Sequence, residues 1–336
     1  MSADRMTRPR TGTAADVPYL ALPPTAVDAR PAGPTRLVVA WAGFGPPRTP
    51  AALAAALPMT GVPTWRVYLG LPTPDGALPP AGLGGAAAVE AYAEVVENAA
   101  AGFSGTLEVL RRDLDLPDSP VGLTGFSAGA TVAMLVLASG EVPVSAAAFV
   151  APIVAPARTM TQVVKETGRP YTWTDGARAA AERLDLTARV GELAARDVPL
   201  LLVGGSRDRL VRAPELSRLR DRLVQQGAAA EVATFRMAHA LAAEPGVEAV
   251  PPQPEAVGVD GALTDWFREH LAVVEPPAAA PEPEDETATS PSGHAPLRLE
   301  GPRPGPAVDE TMPDVTASAQ EGGAFPLGVG LGGSPS

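Results

Sequence analysis

Residues 121–138, VGLTGFSAGATVAMLVLA, restrict the possible folds of this chain more than any other segment. They read as an apolar strand, a Gly-x-Ser-x-Gly turn and an apolar helix in immediate succession. Val121, Leu123 and Thr124 supply the strand character, while Ala130, Val132, Ala133, Met134 and Leu137 supply the helix, with Gly140 placed to stop it. Ser127 therefore falls on a sharp turn in a strained backbone conformation, where side chains at Gly125 and Gly129 would meet the neighbouring chain. A serine hydroxyl is a poor nucleophile at neutral pH, so a hydrolase has to present it in the open and set a base beside it. The turn presents it, and Ser127 is the expected nucleophile. Taken alone, the same string also fits a small-residue turn in a βα unit.

The search for a base is short, because the chain has three histidines. His294 stands in a low-complexity stretch, and His270 stands in TDWFREHLAVV, where Trp266, Phe267 and Leu271, with Leu263 just before, mark an amphipathic helix with a histidine near its favourable end. His239 follows a strand marked by Val232, Thr234 and Phe235, which puts it on a loop just past a strand end, where a mobile base belongs. The acid expected beside it is Asp208, just beyond the continuous apolar run that ends at Val203 and reads as a buried parallel strand. A carboxylate there accepts the second imidazole N–H and stabilises the imidazolium that forms when the serine is deprotonated. Its other reading is a loop aspartate in a surface ion pair with Arg207 or Arg209.

A tetrahedral intermediate needs two donors for its oxyanion. In TRLVVAWAGFGPP, residues 37–41 read as a central strand and Gly43, Phe44 and Gly45 as a loop whose backbone can approach a ligand. The expected donors are the amides of Phe44 and Ala128, with Gly45 as the second choice for the first. A simple turn is the other reading of this loop.

Apolar runs at 37–41, 65–69, 121–124, 146–150, 200–203 and 232–235 alternate with helical stretches at 50–57, 86–113, 128–139, 214–226 and 261–272. Such alternation predicts a parallel sheet with right-handed crossovers. With these elements in place, the chain resembles an α/β-hydrolase of the serine esterase, lipase and thioesterase type over residues 36–274. The order Ser127, Asp208, His239, each just after a strand, is similar to that superfamily's triad. The loop at Gly43 resembles its His-Gly-x-Gly loop, except that Ala42 stands where many members have histidine. The resemblance implies a mainly parallel twisted sheet flanked by helices, chemistry at the carboxyl ends of the strands, and no cofactor. It also implies cleavage of an ester or thioester of a small or medium acyl substrate. A peptidase or amidase on the same scaffold, and a binding protein that kept the fold and lost turnover, remain as alternatives.

Between 152 and 197 the alternation breaks, with Met160, Val163, Val164 and the pair Tyr171 and Trp173 preceding a last helix at 177–184. This insert reads either as a small cap over the site, with Tyr171 and Trp173 lining an apolar substrate pocket, or as a long βα connection. Residues 1–35 read as a partly flexible extension. Residues 275–336 turn to Pro, Ala, Gly and Glu without apolar periodicity, as in a disordered tail. That tail carries ten of the acidic residues behind the net charge of −12, so the rest is mildly acidic and offers no basic surface for nucleic acid. The glycines at 82, 84 and 85 lack a preceding strand and the spacing of a dinucleotide loop, and read as a loop entering a helix. No segment has the length of a secretory signal core or a membrane span, so a cytoplasmic protein without stable membrane insertion is expected. With no cysteine and scattered histidines, neither a disulfide framework, a cysteine nucleophile nor a metal site is expected.

Overall fold

A computed structural model describes residues 8–72 and 87–274. The expected tail, His294 and the glycine cluster at 82–85 lie outside the described residues. The chain opens with strands β1 (Arg10–Ala14), β2 (Val17–Leu22) and β3 (Ala29–Pro31). The βα alternation then starts with β4 (Leu37–Trp41), α1 (Pro50–Ala56), β5 (Trp65–Leu69), α2 (Ala88–Ala101), α3 (Phe103–Leu114), β6 (Val121–Phe126), α4 (Ala128–Ser139) and β7 (Val144–Val150). Three helices follow before the next strand: α5 (Pro156–Thr167), α6 (Asp175–Arg183) and α7 (Val190–Ala194). The order closes with β8 (Leu200–Gly205), α8 (Ala213–Gln225), β9 (Ala230–Phe235), α9 (Pro254–Leu271) and β10 (Ala272–Val274).

Eight strands form one sheet in the order β1-β2-β5-β4-β6-β7-β8-β9. The run from β5 to β9 is parallel, whereas β2 pairs antiparallel with β5 and β1 with β2. The expected mainly parallel sheet flanked by helices is thus present. Its strands are buried on both faces, which is why they read as unbroken apolar runs. Along β4 the faces alternate: Leu37, Val39 and Trp41 join a core shared with α2, α3, α4 and α8, while Val38 and Ala40 join a second core under α1 and α9. Helix α4 is buried along almost its whole length between the sheet and α2, which suits its composition, apolar on every side.

Several boundaries differ from the sequence reading. Residues 10–31, set outside the catalytic domain, supply three strands, two of which extend the main sheet. Buried Arg66 on β5 holds the segment after β2 by donating to Pro23 O at 2.7 Å. The single helix expected at 86–113 is two, α2 and α3, meeting at Gly102, whose amide bonds Asn98 O. Helix α9 starts at Pro254 rather than at 261, because a proline suits the first helical position, where its missing N–H costs nothing. In the insert, α6 covers most of the expected last helix, but α7 follows it.

Candidate active site

The parallel strands end together, and the order of the sheet decides which loops meet. Strand β4 lies beside β6, so the loop at 42–45 emerges next to the turn at Ser127. Strands β8 and β9 are also neighbours, so the loops carrying Asp208 and His239 leave the sheet side by side. The chain crosses from β5 over to β6 on the other side of β4, and such a reversal opens a crevice at the carboxyl ends.

Ser127 links β6 to α4 with φ 55° and ψ −117°. A side chain at positive φ costs on the order of 1–3 kcal/mol and persists only where its surroundings impose it. Here the Ser127 amide donates to Val150 O at 2.8 Å, and its carbonyl accepts the Thr131 amide at 3.1 Å. The flanking glycines are required by contact. A Cβ at Gly125 would stand 2.5 Å from the Gly129 carbonyl, and one at Gly129 would run into the Trp41 carbonyl oxygen. Only 3 % of Ser127 is exposed, so its hydroxyl lies at the bottom of the crevice.

Ser127 Oγ is 2.7 Å from His239 Nε2, and His239 Nδ1 is 2.7 Å from Asp208 Oδ2. The other Asp208 oxygen accepts the amides of Leu210 and Val211, both at 2.8 Å, which fixes the plane of the carboxylate. The Asp208 side chain has no exposed surface. Arg209, offered by the sequence as an ion-pair partner for it, turns instead to Glu166 at 2.9 Å. With the Nδ1 proton held by Asp208, Nε2 is left with a lone pair facing the serine hydroxyl. The arrangement can draw a proton from Ser127 and balance the resulting imidazolium with a buried carboxylate.

The loop at Gly43 passes hard against this turn: a Cβ there would be 3.1 Å from Ser127 Cβ and 2.7 Å from Phe126 O. The amides of Phe44 and Ala128 donate to no acceptor among the described residues. The Ala128 amide opens α4, where helix N–H groups lack partners and carry partial positive charge. The loop is also stitched to the histidine loop. Leu241 N bonds Pro46 O at 3.0 Å, Arg48 N bonds Gly246 O at 2.7 Å, and Thr49 Oγ1 bonds Val247 O at 2.7 Å.

A buried polar knot beneath Ser127 escaped the sequence reading. Tyr92 donates to Thr131 Oγ1 at 2.8 Å, the Ile153 amide donates to the same oxygen at 3.2 Å, and the Thr131 hydroxyl has the carbonyls of Ser127 and Ile153 within 3.3 Å. Burial pushes the Tyr92 hydroxyl far above its usual range, so it stays a donor. A threonine four residues after the serine, in an otherwise apolar helix, was the available signal.

Tyr171 and Trp173 pack edge to face at 5.0 Å in the α5–α6 connection. Tyr171 takes a hydrogen bond from the Val89 backbone at the start of α2. Trp173 borders a separate pocket of about 260 Å³ with Ala157, Arg178 and Glu182. A further cleft, which shares Tyr92 and Ile153 with the polar knot, is lined by residues of α2, Ile153 and residues of α5. His270 lies on α9 against Trp266, away from these groups. Among the described residues, no group of three histidine, aspartate or glutamate side chains could hold a metal ion, and no helix is long and apolar enough to cross a membrane.

No family model matches the chain, and no curated protein matches it. Solved structures do. A Thermus thermophilus protein is similar with a TM-score of 0.53 and 22 % identity, over 77 % of this chain and 98 % of its own. A Pyrococcus horikoshii acylaminoacyl peptidase is similar with a TM-score of 0.53 and 14 % identity, over 79 % of this chain and 42 % of its own, so this chain spans less than half of that peptidase. A Pyrococcus furiosus esterase is similar with a TM-score of 0.50 and 12 % identity, over 80 % of this chain and 93 % of its own.

Proposed function

We propose that this chain, which has the α/β-hydrolase fold, is a serine hydrolase that cleaves an ester or thioester of a small acyl substrate through Ser127, His239 and Asp208. The observation that carries the reading is the continuous line of two 2.7 Å contacts from the serine hydroxyl through the imidazole to the carboxylate. In this reading His239 Nε2 takes the Ser127 proton as Oγ bonds to the acyl carbon. The carbonyl electron pair moves onto oxygen, where the amides of Phe44 and Ala128 receive it. When the tetrahedral species collapses, the bond to the leaving oxygen or sulfur breaks and His239 returns the proton to it. Water then enters, gives its proton to His239 and attacks the acyl carbon. The acid leaves, Ser127 is restored, and no cofactor takes part.

In the same reading Tyr171 and Trp173, packed edge to face in the α5–α6 connection, line an apolar substrate pocket. The substrate is a small molecule met in the cytoplasm. Residues 36–274 form the catalytic unit, and the 152–197 insert acts as its cap. A second reading, peptidase or amidase, is favoured by the structural likeness to the acylaminoacyl peptidase. Turnover of matched p-nitrophenyl ester, thioester and peptide amide substrates by wild type and by Ser127→Ala separates the two. The expected result is ester or thioester hydrolysis with higher kcat/KM than amide, lost by several orders of magnitude in the variant. Preferred amide cleavage overturns the ester reading, and activity retained by Ser127→Ala overturns the mechanism.

A further inference from the structure

The backbone of Ser127 is held at both of its polar groups by the segment that leaves β7. Its amide donates to Val150 O at 2.8 Å, and its carbonyl is tied to Ile153 through the buried side chain of Thr131. Between Val150 and Ile153 the buried Ala151 has φ 47°, a backbone conformation in which an alanine persists only where its surroundings impose it. Its amide is fixed to Val203 O at 2.8 Å.

The Thr131 hydroxyl has one proton and two lone pairs. The lone pairs accept the Tyr92 hydroxyl at 2.8 Å and the Ile153 amide at 3.2 Å. An amide can only donate, and burial keeps the Tyr92 hydroxyl protonated, so both act as donors here. The Thr131 proton is thereby turned to the carbonyls of Ser127 and Ile153, each at 3.3 Å. Because the Ser127 carbonyl also accepts the Thr131 amide at 3.1 Å, one residue holds that oxygen by two of its groups. The consequence lies at the other end of the same peptide group. The Ser127 carbonyl and the Ala128 amide belong to one planar trans unit, in which C=O and N–H point in opposite directions. An oxygen fixed along α4 therefore aims the N–H out of the amino end of that helix.

We infer that Thr131, its hydroxyl oriented by Tyr92, is a positioning residue that sets the aim of the Ala128 N–H at the oxyanion. The inference rests on the serine hydrolase reading and adds to it the groups that hold one of its donors still. Such a donor acts by being aimed before the charge appears, so a peptide plane free to tilt stabilises the transition state less while binding the substrate equally well.

The test compares wild type, Thr131→Val, Thr131→Ser and Tyr92→Phe on p-nitrophenyl acetate, with rates counted per serine labelled by a fluorophosphonate. Affinity for trifluoroacetophenone, whose carbonyl becomes an oxyanion when the serine adds to it, is measured beside them. Thr131→Val is expected to lower kcat on the order of tenfold, part of the roughly 10²–10³ that outright loss of a donor costs, with KM unchanged. Affinity for the ketone is expected to fall by the same factor as kcat/KM, and the pH profile set by His239 to stay in place. Thr131→Ser keeps the hydroxyl and recovers most of the loss. If Thr131→Val fails to fold, Tyr92→Phe, which frees the hydroxyl to turn, gives a smaller shift in the same direction. Unchanged kcat per labelled serine in the folded variants overturns the inference. So does a fall in kcat without the matching fall in ketone affinity, or one accompanied by a displaced pH profile. Wild type that neither labels at Ser127 nor cleaves the ester overturns the serine hydrolase reading beneath it.

Discussion

Asp208 uses its two oxygens differently, and this makes the site testable at a single atom. Oδ1 is anchored by the amides of Leu210 and Val211, and Oδ2 alone faces His239. Asparagine keeps the anchored oxygen but turns an NH₂ toward Nδ1. The imidazole must then carry its proton on Nε2, and Ser127 loses its acceptor. Asp208→Asn is expected to lower kcat by about 10⁴-fold with an unchanged circular dichroism spectrum; a fall of less than about tenfold, by the same comparison, contradicts the role assigned to the carboxylate. At this scale Ser127, Asp208 and His239 were legible in the sequence because a strained turn, a strand end and a scarcity of histidines each leave a local mark. Thr131 and Tyr92 were not, since their role depends on a hydrogen bond across 39 positions that no local pattern records.

The elements that bring these residues together are two loops clamped by their backbones. Residues 43–48 carry the Phe44 amide, residues 236–247 carry the imidazole, and the bonds from Leu241 to Pro46 and from Arg48 to Gly246 join them. The exposed Arg48–Glu244 ion pair adds little to this, because such pairs contribute at most about 1 kcal/mol. Gly246 matters more: it has φ +68°, and a Cβ on it would run into Pro46. Gly246→Ala is therefore expected to shift the donor relative to the base and to lower kcat on the order of 100-fold, the scale of a misplacement of about 1 Å, while the protein still folds. Wild-type kcat in a folded variant would show that the clamp does not set the geometry. The parallel strands were legible as apolar runs, being buried on both faces. Strands β1 and β2 were not. Their two-residue turn is Ala15-Asp16, with φ 47° and 65°, where glycine or asparagine would have announced a hairpin, and β1 is an exposed edge with little apolar content. Helices α5, α6 and α7 sat in a segment whose short amphipathic stretches lack a common period.

Over the whole molecule, the strand order of a doubly covered sheet gathers Phe44, Ser127, Asp208 and His239, from loops up to 195 positions apart, at one end of the sheet. The alternation of strands and helices predicted that architecture, and with it the end of the sheet where the chemistry belongs. The central claim is that Ser127 is an activated nucleophile. Reaction of the full-length protein with a fluorophosphonate, followed by mass spectrometry of its peptides, tests this most directly. One adduct on the peptide containing Ser127, absent from Ser127→Ala and strongly reduced in His239→Ala, is the predicted result. An unmodified but folded wild type, or an adduct that persists in Ser127→Ala, would contradict it.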